Sequence, residues 1–169
     1  MKFAVILAHP RADSLNAQIA HTGGERLVGM GHDVVLRDLY GIGFDPRLMA
    51  DELPRPAMAP PPPDVVSERR RLADRGGFIF VYPFWFNTPP AILKGYVERV
   101  MSMGFGYEPI AGGGTQPLLG GKSLTSFTTS GAPDRWVETS GALDHLKALF
   151  DNYLAEVTGL NVITHRHYG

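Results

Sequence analysis

GFIFVYPFWFNTPPAILKGYVERV, residues Gly77 to Val100, changes its hydrophobic rhythm halfway along. Gly77 to Tyr82 is a continuous apolar run, the pattern of a strand buried on both faces. From Pro90 to Met101 the apolar residues recur every three or four positions. Ile92, Leu93, Tyr96, Val97 and Val100 make one stripe, and Lys94 and Glu98 pair on the opposite, wet face. Pro90 suits the first helical position, and Asn87 or Thr88 can cap it, so the turn between strand and helix is rigid. Strand, turn and helix in that order are the repeating unit of a parallel sheet covered by helices on both faces.

The same alternation extends in both directions. Lys2 to Ala8, Asp33 to Leu39, Ser123 to Thr129 and, more weakly, Asn161 to Thr164 read as further strands. Ser14 to Gly29, Asp64 to Arg75 and Gly141 to Thr158 read as further helices. Glu52 to Asp64, ELPRPAMAPPPPD, is too proline-rich for either and predicts an extended surface loop. Neither side of that loop is long enough to bury a core alone, so residues 1–169 are expected to form one α/β domain.

Composition removes several function classes. A net charge of -1, with Lys and Arg scattered, offers no basic face for nucleic acid or anionic lipid. With no cysteine there is no disulfide, thiolate zinc site or cysteine nucleophile, which suits a cytoplasmic protein. The apolar start lacks a cleavage site and is shorter than the ~20 residues of a membrane helix, so no membrane insertion is expected.

In doubly wound sheets, ligands bind outside the carboxyl ends of the strands, and three segments are expected there. AHPRADSLN, Ala8 to Asn16, leads into a helix start, where unpaired N–H groups and the dipole favour a phosphate. His9 and Ser14 would add donors, although Ser14 as a plain cap and His9 as a strand end explain them equally well. Phe84, Trp85 and Phe86 follow the third strand; they are either a hydrophobic plug or the wall of a ligand crevice. SFTTSGAPDRW, Ser126 to Trp136, follows the fourth strand with hydroxyls and a glycine that can present consecutive donors, or is an ordinary loop. Together the three describe a site for a flat phosphorylated ring.

Two other patterns are set aside. GGKS at Gly120 to Ser123 ends like a phosphate-binding loop, but Gln116 stands where its first glycine belongs, and it precedes a strand. His165 and His167 alternate on one face without an evident third metal ligand and read as a solvated tail.

Across nearly its whole length the chain resembles the flavodoxin-like NAD(P)H:quinone oxidoreductases, including their small bacterial members. His9 with Ser14, Leu15 and Asn16 is similar to their phosphate-side loop, and Tyr82 to Val100 with its PAILKG block is similar to their most distinctive motif. GFGYE, Gly104 to Glu108, resembles their substrate-side loop, and TTSG, Thr128 to Gly131, their flavin-edge turn. The resemblance implies a flavodoxin-like three-layer sandwich with a five-stranded parallel sheet in the order 2-1-3-4-5. It implies a bound flavin, a homodimer with the site at the subunit interface, and two-electron transfer from NAD(P)H to quinones or similar flat acceptors.

In that resemblance His9, Ser14, Leu15, Asn16, Pro83, Phe84, Trp85, Phe86, Asn87, Thr128, Thr129, Ser130, Gly131 and Trp136 hold the cofactor. Phe105, Gly106 and Tyr107 cover the acceptor. Larger members carry a tyrosine and a histidine that relay a proton; Trp136 and Ala142 stand at those positions here, with His145 only nearby, so no catalytic residue is assigned. The shorter chain implies FMN over FAD. Two other classes remain open: an ancillary regulatory flavoprotein of a potassium efflux system, and a flavodoxin-type electron carrier. Carriers are usually strongly acidic, and this chain is not.

Overall fold

A computed structural model describes residues 1–53 and 60–169. The middle of the proline-rich segment falls outside the described residues. Five parallel strands form the central sheet: β1 (Lys2–Leu7), β2 (Asp33–Asp38), β3 (Gly77–Pro83), β6 (Ser123–Thr129) and β7 (Asn161–Tyr168), in the order β2-β1-β3-β6-β7. Numbering only the strands of this sheet, that is the expected 2-1-3-4-5. A two-stranded antiparallel hairpin, β4 (Tyr107–Pro109) with β5 (Thr115–Pro117), lies outside it. Strands of three residues rich in glycine and polar neighbours carry no periodic signal, so the hairpin was illegible in the sequence.

Helix α1 (Leu15–Gly29) covers one face, with Ala17 and Ala20 packed against Val5, Leu7 and Val81. The opposite face carries α2 (Pro63–Leu72), α3 (Ala91–Val100), α4 (Asp134–Thr139), α5 (Ala142–Leu146) and α6 (Tyr153–Thr158). Leu72, Leu93, Tyr96, Val100, Phe150 and Leu154 meet Ile6, Phe78, Phe80 and Tyr82 there in one continuous core. Each fully buried large apolar side chain contributes roughly 1.5–3 kcal/mol, so this face holds most of the stabilisation.

The expected helix over Gly141 to Thr158 is interrupted. Between α5 and α6 the backbone takes a π-helical turn over Lys147–Asn152, whose wider winding no local propensity announces. The last strand runs on to Tyr168 instead of ending at Thr164. Pro90 sits at the cap of α3 and Ala91 begins it, with no side-chain cap; Thr88 instead bonds back to the Trp85 carbonyl. The expected stripe of α3 is buried apart from the half-buried Val97, and Lys94 pairs with Glu98.

Gly95 of α3 lies directly on Pro46: a Cβ there would stand 2.2 Å from the Pro46 carbonyl oxygen. Arg69 of α2 fastens the other end of α3 by donating to the carbonyls of Val100 at 3.0 Å and Arg99 at 3.1 Å, groups that a helix end otherwise leaves unpaired. The lysine of GGKS is structural. Lys122 Nζ donates to the carbonyls of Ala73 at 2.9 Å and Arg75 at 2.5 Å.

Candidate functional site at the carboxyl end of the sheet

Three loops meet at the carboxyl edge of β1, β3 and β6. Ser14 caps α1, its hydroxyl accepting the Ala17 N–H at 3.1 Å, as its residue type predicts. The N–H groups of Leu15 and Asn16 in the first turn therefore keep no partner within the helix. His9 Nδ1 lies 3.1 Å from the Arg11 backbone nitrogen and 3.3 Å from the Arg11 carbonyl oxygen, so both of these local contacts use Nδ1 and neither uses Nε2. Its ring lies 5.7 Å from that of Trp85, joining the first loop to the second.

The second loop divides the aromatics. Phe84 is buried and packs edge-on against His167 at 5.5 Å, as a plug would. Trp85 is 43% exposed and Phe86 is fully exposed. Phe86 and Asn87 both take left-handed backbone angles, φ 49° and 59°, conformations that cost an L-residue free energy and persist only where the surroundings impose them. The Thr88 N–H closes the turn onto the Trp85 carbonyl at 3.0 Å. Pro83 ends β3 in a buried position.

The third loop is tied to both others. The Phe84 N–H donates to the Thr129 carbonyl at 2.7 Å, and Asn16 Nδ2 donates to Thr129 Oγ1 at 2.8 Å. Asn16 is 2% exposed, yet its Oδ1 has no partner. A buried amide oxygen left unpaired is costly unless a donor from outside the chain reaches it. Thr128 turns the other way, inward, and Gly131 is exposed. Trp136 sits half-exposed in α4 beyond this loop, and Leu15 faces a hollow between α1 and the sheet, beside Ile19 and Phe127.

Phe105, Gly106 and Tyr107 are not brought to these loops within one chain. They follow the far end of α3, where the Met101 carbonyl leaves no room for a side chain at residue 106. The 10 residues of α3 separate them from the aromatic turn by about 15 Å. Tyr107 instead borders a cavity of about 370 Å³ running along α3 between α2 and α6, with Val65, Val97, Met101 and Tyr153 on its walls.

The solvated tail expected at His165 and His167 is corrected. The His165 side chain is 2% exposed, and its Nδ1 meets Asp151 Oδ2, itself 1% exposed, at 2.5 Å. Thr128 Oγ1 lies 2.9 Å from His165 Nε2 and 2.9 Å from His167 Nδ1. Ser130 Oγ lies 3.1 Å from His167 Nε2, and the Ser130 N–H donates to the Tyr168 carbonyl at 3.0 Å. Strand β7 is thus a fourth contributor to the rim. The alternation of the two histidines was visible in the sequence; Asp151, from the π-helical turn, was not. Among the described residues no group of three or more His, Asp or Glu is arranged to hold a metal, and no helix is long and apolar enough to cross a membrane.

Comparison with known proteins follows the same lines. An uncharacterized NAD(P)H oxidoreductase of Haemophilus influenzae is 35% identical over 133 residues, covering 78% of this chain and 65% of that protein. NAD(P)H dehydrogenase [quinone] 1 of Cavia porcellus is 31% identical over 146 residues, covering 76% of this chain and 53% of that protein. The chain therefore spans only about half to two thirds of the length of these relatives. Among solved structures, an NAD(P)H:quinone oxidoreductase from Methanothermobacter marburgensis superposes with a TM-score of 0.80 at 24% identity, covering 99% of this chain and 84% of that one. General stress protein 14 of Treponema denticola, in complex with FMN, superposes at 0.69 with 16% identity, covering 99% and 86%. The family described as having the flavodoxin-like fold matches residues 1–169, and the chain belongs to it.

Proposed function

We propose that this protein is a flavin-dependent NAD(P)H:quinone oxidoreductase working at the rim formed by His9–Asn16, Pro83–Asn87 and Thr128–Gly131. The observation that carries the reading is the junction of Asn16 and Thr129, where a buried amide oxygen has no partner within the chain, while Trp85 and Phe86 of the loop tied to Thr129 stand exposed. These residues fit a flavin. Free N–H groups at the start of α1, with His9, suit its phosphate; Asn16 Oδ1 could accept a hydroxyl; Trp85 and Phe86 offer ring faces; and the exposed Gly131 offers its N–H to a polar edge.

A bound flavin would accept a hydride from a nicotinamide and pass two electrons to a flat acceptor. The chain's own part is to hold, orient and shield: the turn at Trp85 is closed by its own hydrogen bonds, and Asn16 keeps the Thr129 end of β6 in register with α1. The FMN seen in the Treponema relative favours FMN over FAD. Phe105 and Tyr107, about 15 Å away along α3, reach the aromatic turn only from a second copy. The reading therefore includes a homodimer with shared sites, placed in the cytoplasm and using no nucleic acid or membrane partner.

The test is direct. The purified protein should be yellow, release a flavin identifiable by chromatography, lose its colour anaerobically with NADH or NADPH, and regain it with a benzoquinone. A colourless protein that binds no added FMN or FAD sinks the proposal, and bleaching only by dithionite favours an electron carrier. Trp85→Ala should weaken flavin binding by about 1–3 kcal/mol, roughly 5- to 150-fold in Kd by fluorescence titration. Unchanged binding would return Trp85 to the role of a hydrophobic plug.

A further inference from the structure

Resting on that function, we propose that the row Asp151–His165–Thr128–His167–Ser130 is a proton relay opening at the flavin-edge turn. In it His167 carries the proton, Ser130 hands it on, and the other three side chains are positioning residues. The reaction needs such a group. NAD(P)H gives up a hydride, two electrons with one hydrogen, and becomes NAD(P)+; the quinone becomes a quinol only by gaining one further proton. Each turnover therefore draws one proton into the site, and the hydride brings in the negative charge that attracts it.

For neutral imidazoles the hydrogen-bond count gives the row one direction. Asp151 Oδ1 accepts the Ser126 hydroxyl at 3.0 Å and Oδ2 accepts the hydrogen bond of His165 Nδ1–H, so a neutral His165 presents Nε2 as an acceptor. Thr128 has a single hydroxyl proton between two imidazoles, each 2.9 Å away. It gives that proton to His165 Nε2 and must accept one from His167 Nδ1. Neutral His167 is thereby left with Nε2 as an acceptor, and the Ser130 hydroxyl donates to it at 3.1 Å. When His167 Nε2 gains a proton it becomes the donor, and the Ser130 hydroxyl turns to the Ala132 carbonyl, also 3.1 Å away. Delivery reverses the sequence: the Ser130 hydroxyl proton passes to the reduced acceptor's oxygen while the His167 proton replaces it. His167, half-buried, then recharges from water.

Two backbone irregularities build this row. Leu124 pairs with Val162, but Thr125 pairs with Thr164, so Ile163 is an extra residue in β7. Without that bulge Thr164 and Arg166 would fall beside Ser126 and Thr128, and both histidines would face away from Asp151. Asp151 itself lies in the π-helical turn, again one extra residue per turn. Irregularities of both kinds gather at functional sites, and here they flank one His–Asp pair.

The charges around His167 suit a carrier that is empty until electrons arrive. Burial holds its pKa below the usual value; Asp134 of α4 opposes that shift and His165 adds to it. Asp151 lies behind His165. Tyr82 of β3 faces His165 as a phenol kept neutral by its burial and by Asp151, and Arg166 points to the opposite face of β7. Negative charge arriving at the turn raises the proton affinity of His167.

Three measurements on the full chain test the relay. In the flavin-free protein, long-range proton–nitrogen NMR should find His165 and His167 both protonated on Nδ1, with His167 titrating below the ordinary histidine range; a His167 protonated on Nε2 at neutral pH overturns the relay whatever the flavin does. In the flavin-loaded protein, His167→Gln and Ser130→Ala should each slow reoxidation by a benzoquinone about tenfold or more, and in His167→Gln bleaching by the nicotinamide should change far less. The His167 ionisation should also vanish from the pH profile of reoxidation in His167→Gln. If the variants bind flavin and keep the wild-type rate and profile, the relay is wrong and the flavin function stands. If wild-type protein binds no flavin, both fall.

Discussion

Glu68→Ala is expected to lower the unfolding free energy by about 3–5 kcal/mol, the cost of stripping one partner from a buried ion pair. Glu68 joins three elements: from α2 it accepts Arg37 Nε of β2 at 2.9 Å and the Tyr96 hydroxyl of α3 at 3.0 Å. The carboxylate and guanidinium are 6% and 13% exposed, and Tyr96 is fully buried, so water cannot replace the missing acceptor. The same burial lifts the Tyr96 pKa well above 10, so the phenol stays a donor. In a domain of this size the loss corresponds to a fall in Tm of roughly 6–20 °C, readable by circular dichroism. A double variant, Arg37→Met with Glu68→Leu, should recover much of it, because it removes both charges and fills the space. If Glu68→Ala melts within a degree or two of wild type, the network contributes no net stability.

Gly95→Ala should destabilise by about 2–3 kcal/mol even though alanine is the better helix former by about 1 kcal/mol. The added methyl would meet the Pro46 carbonyl oxygen at 2.2 Å and the Pro46 Cα at 2.7 Å; both are backbone atoms, and only displacement of α3 or of the chain beneath it relieves the contact. Gly23→Ala is the matched control. It lies inside α1 with nothing within 4 Å of its Cβ position, and should stabilise by about 0.5–1 kcal/mol. Opposite signs in urea titrations would establish that the glycine of PAILKG is there for contact. Because α3 begins just after the aromatic turn, Gly95→Ala should also weaken flavin binding, an effect Gly23→Ala should lack.

Much of the fold could be read directly. Apolar runs such as Lys2 to Ala8 and the three-to-four spacing from Ile92 to Val100 report burial, and burial decides both strand and helix there. The loops of the candidate site were legible for a different reason, since a parallel sheet places the ends of its strands on one edge whatever their sequence. What escaped depended on geometry that has no sequence period. The bulge at Ile163 reverses which residues of β7 face inward, so strict alternation counted from Asn161 assigns the histidines without regard to Asp151. The π-helical turn that carries Asp151 reads as ordinary helix, because its residues, KALFDN, form an α-helix equally well. Phe105 and Gly106 lie in the turn after α3 and Tyr107 opens β4, but spacing along a chain says nothing about how far such residues stand from the candidate site in space.

Phe86 stands apart from every force that shaped the rest of the chain. Its ring is fully exposed and its backbone is left-handed at φ 49°, so burial recovers nothing for the conformational cost it bears. The turn around it is already closed by the Thr88 bonds to Trp85 and by the rigid start of α3. A flat molecule settling on that ring would therefore not have to order a loop first, and the free energy of covering it would appear almost undiminished as affinity. The strain is carried by the backbone of the turn, so whatever comes to lie on Phe86 meets a shape already set.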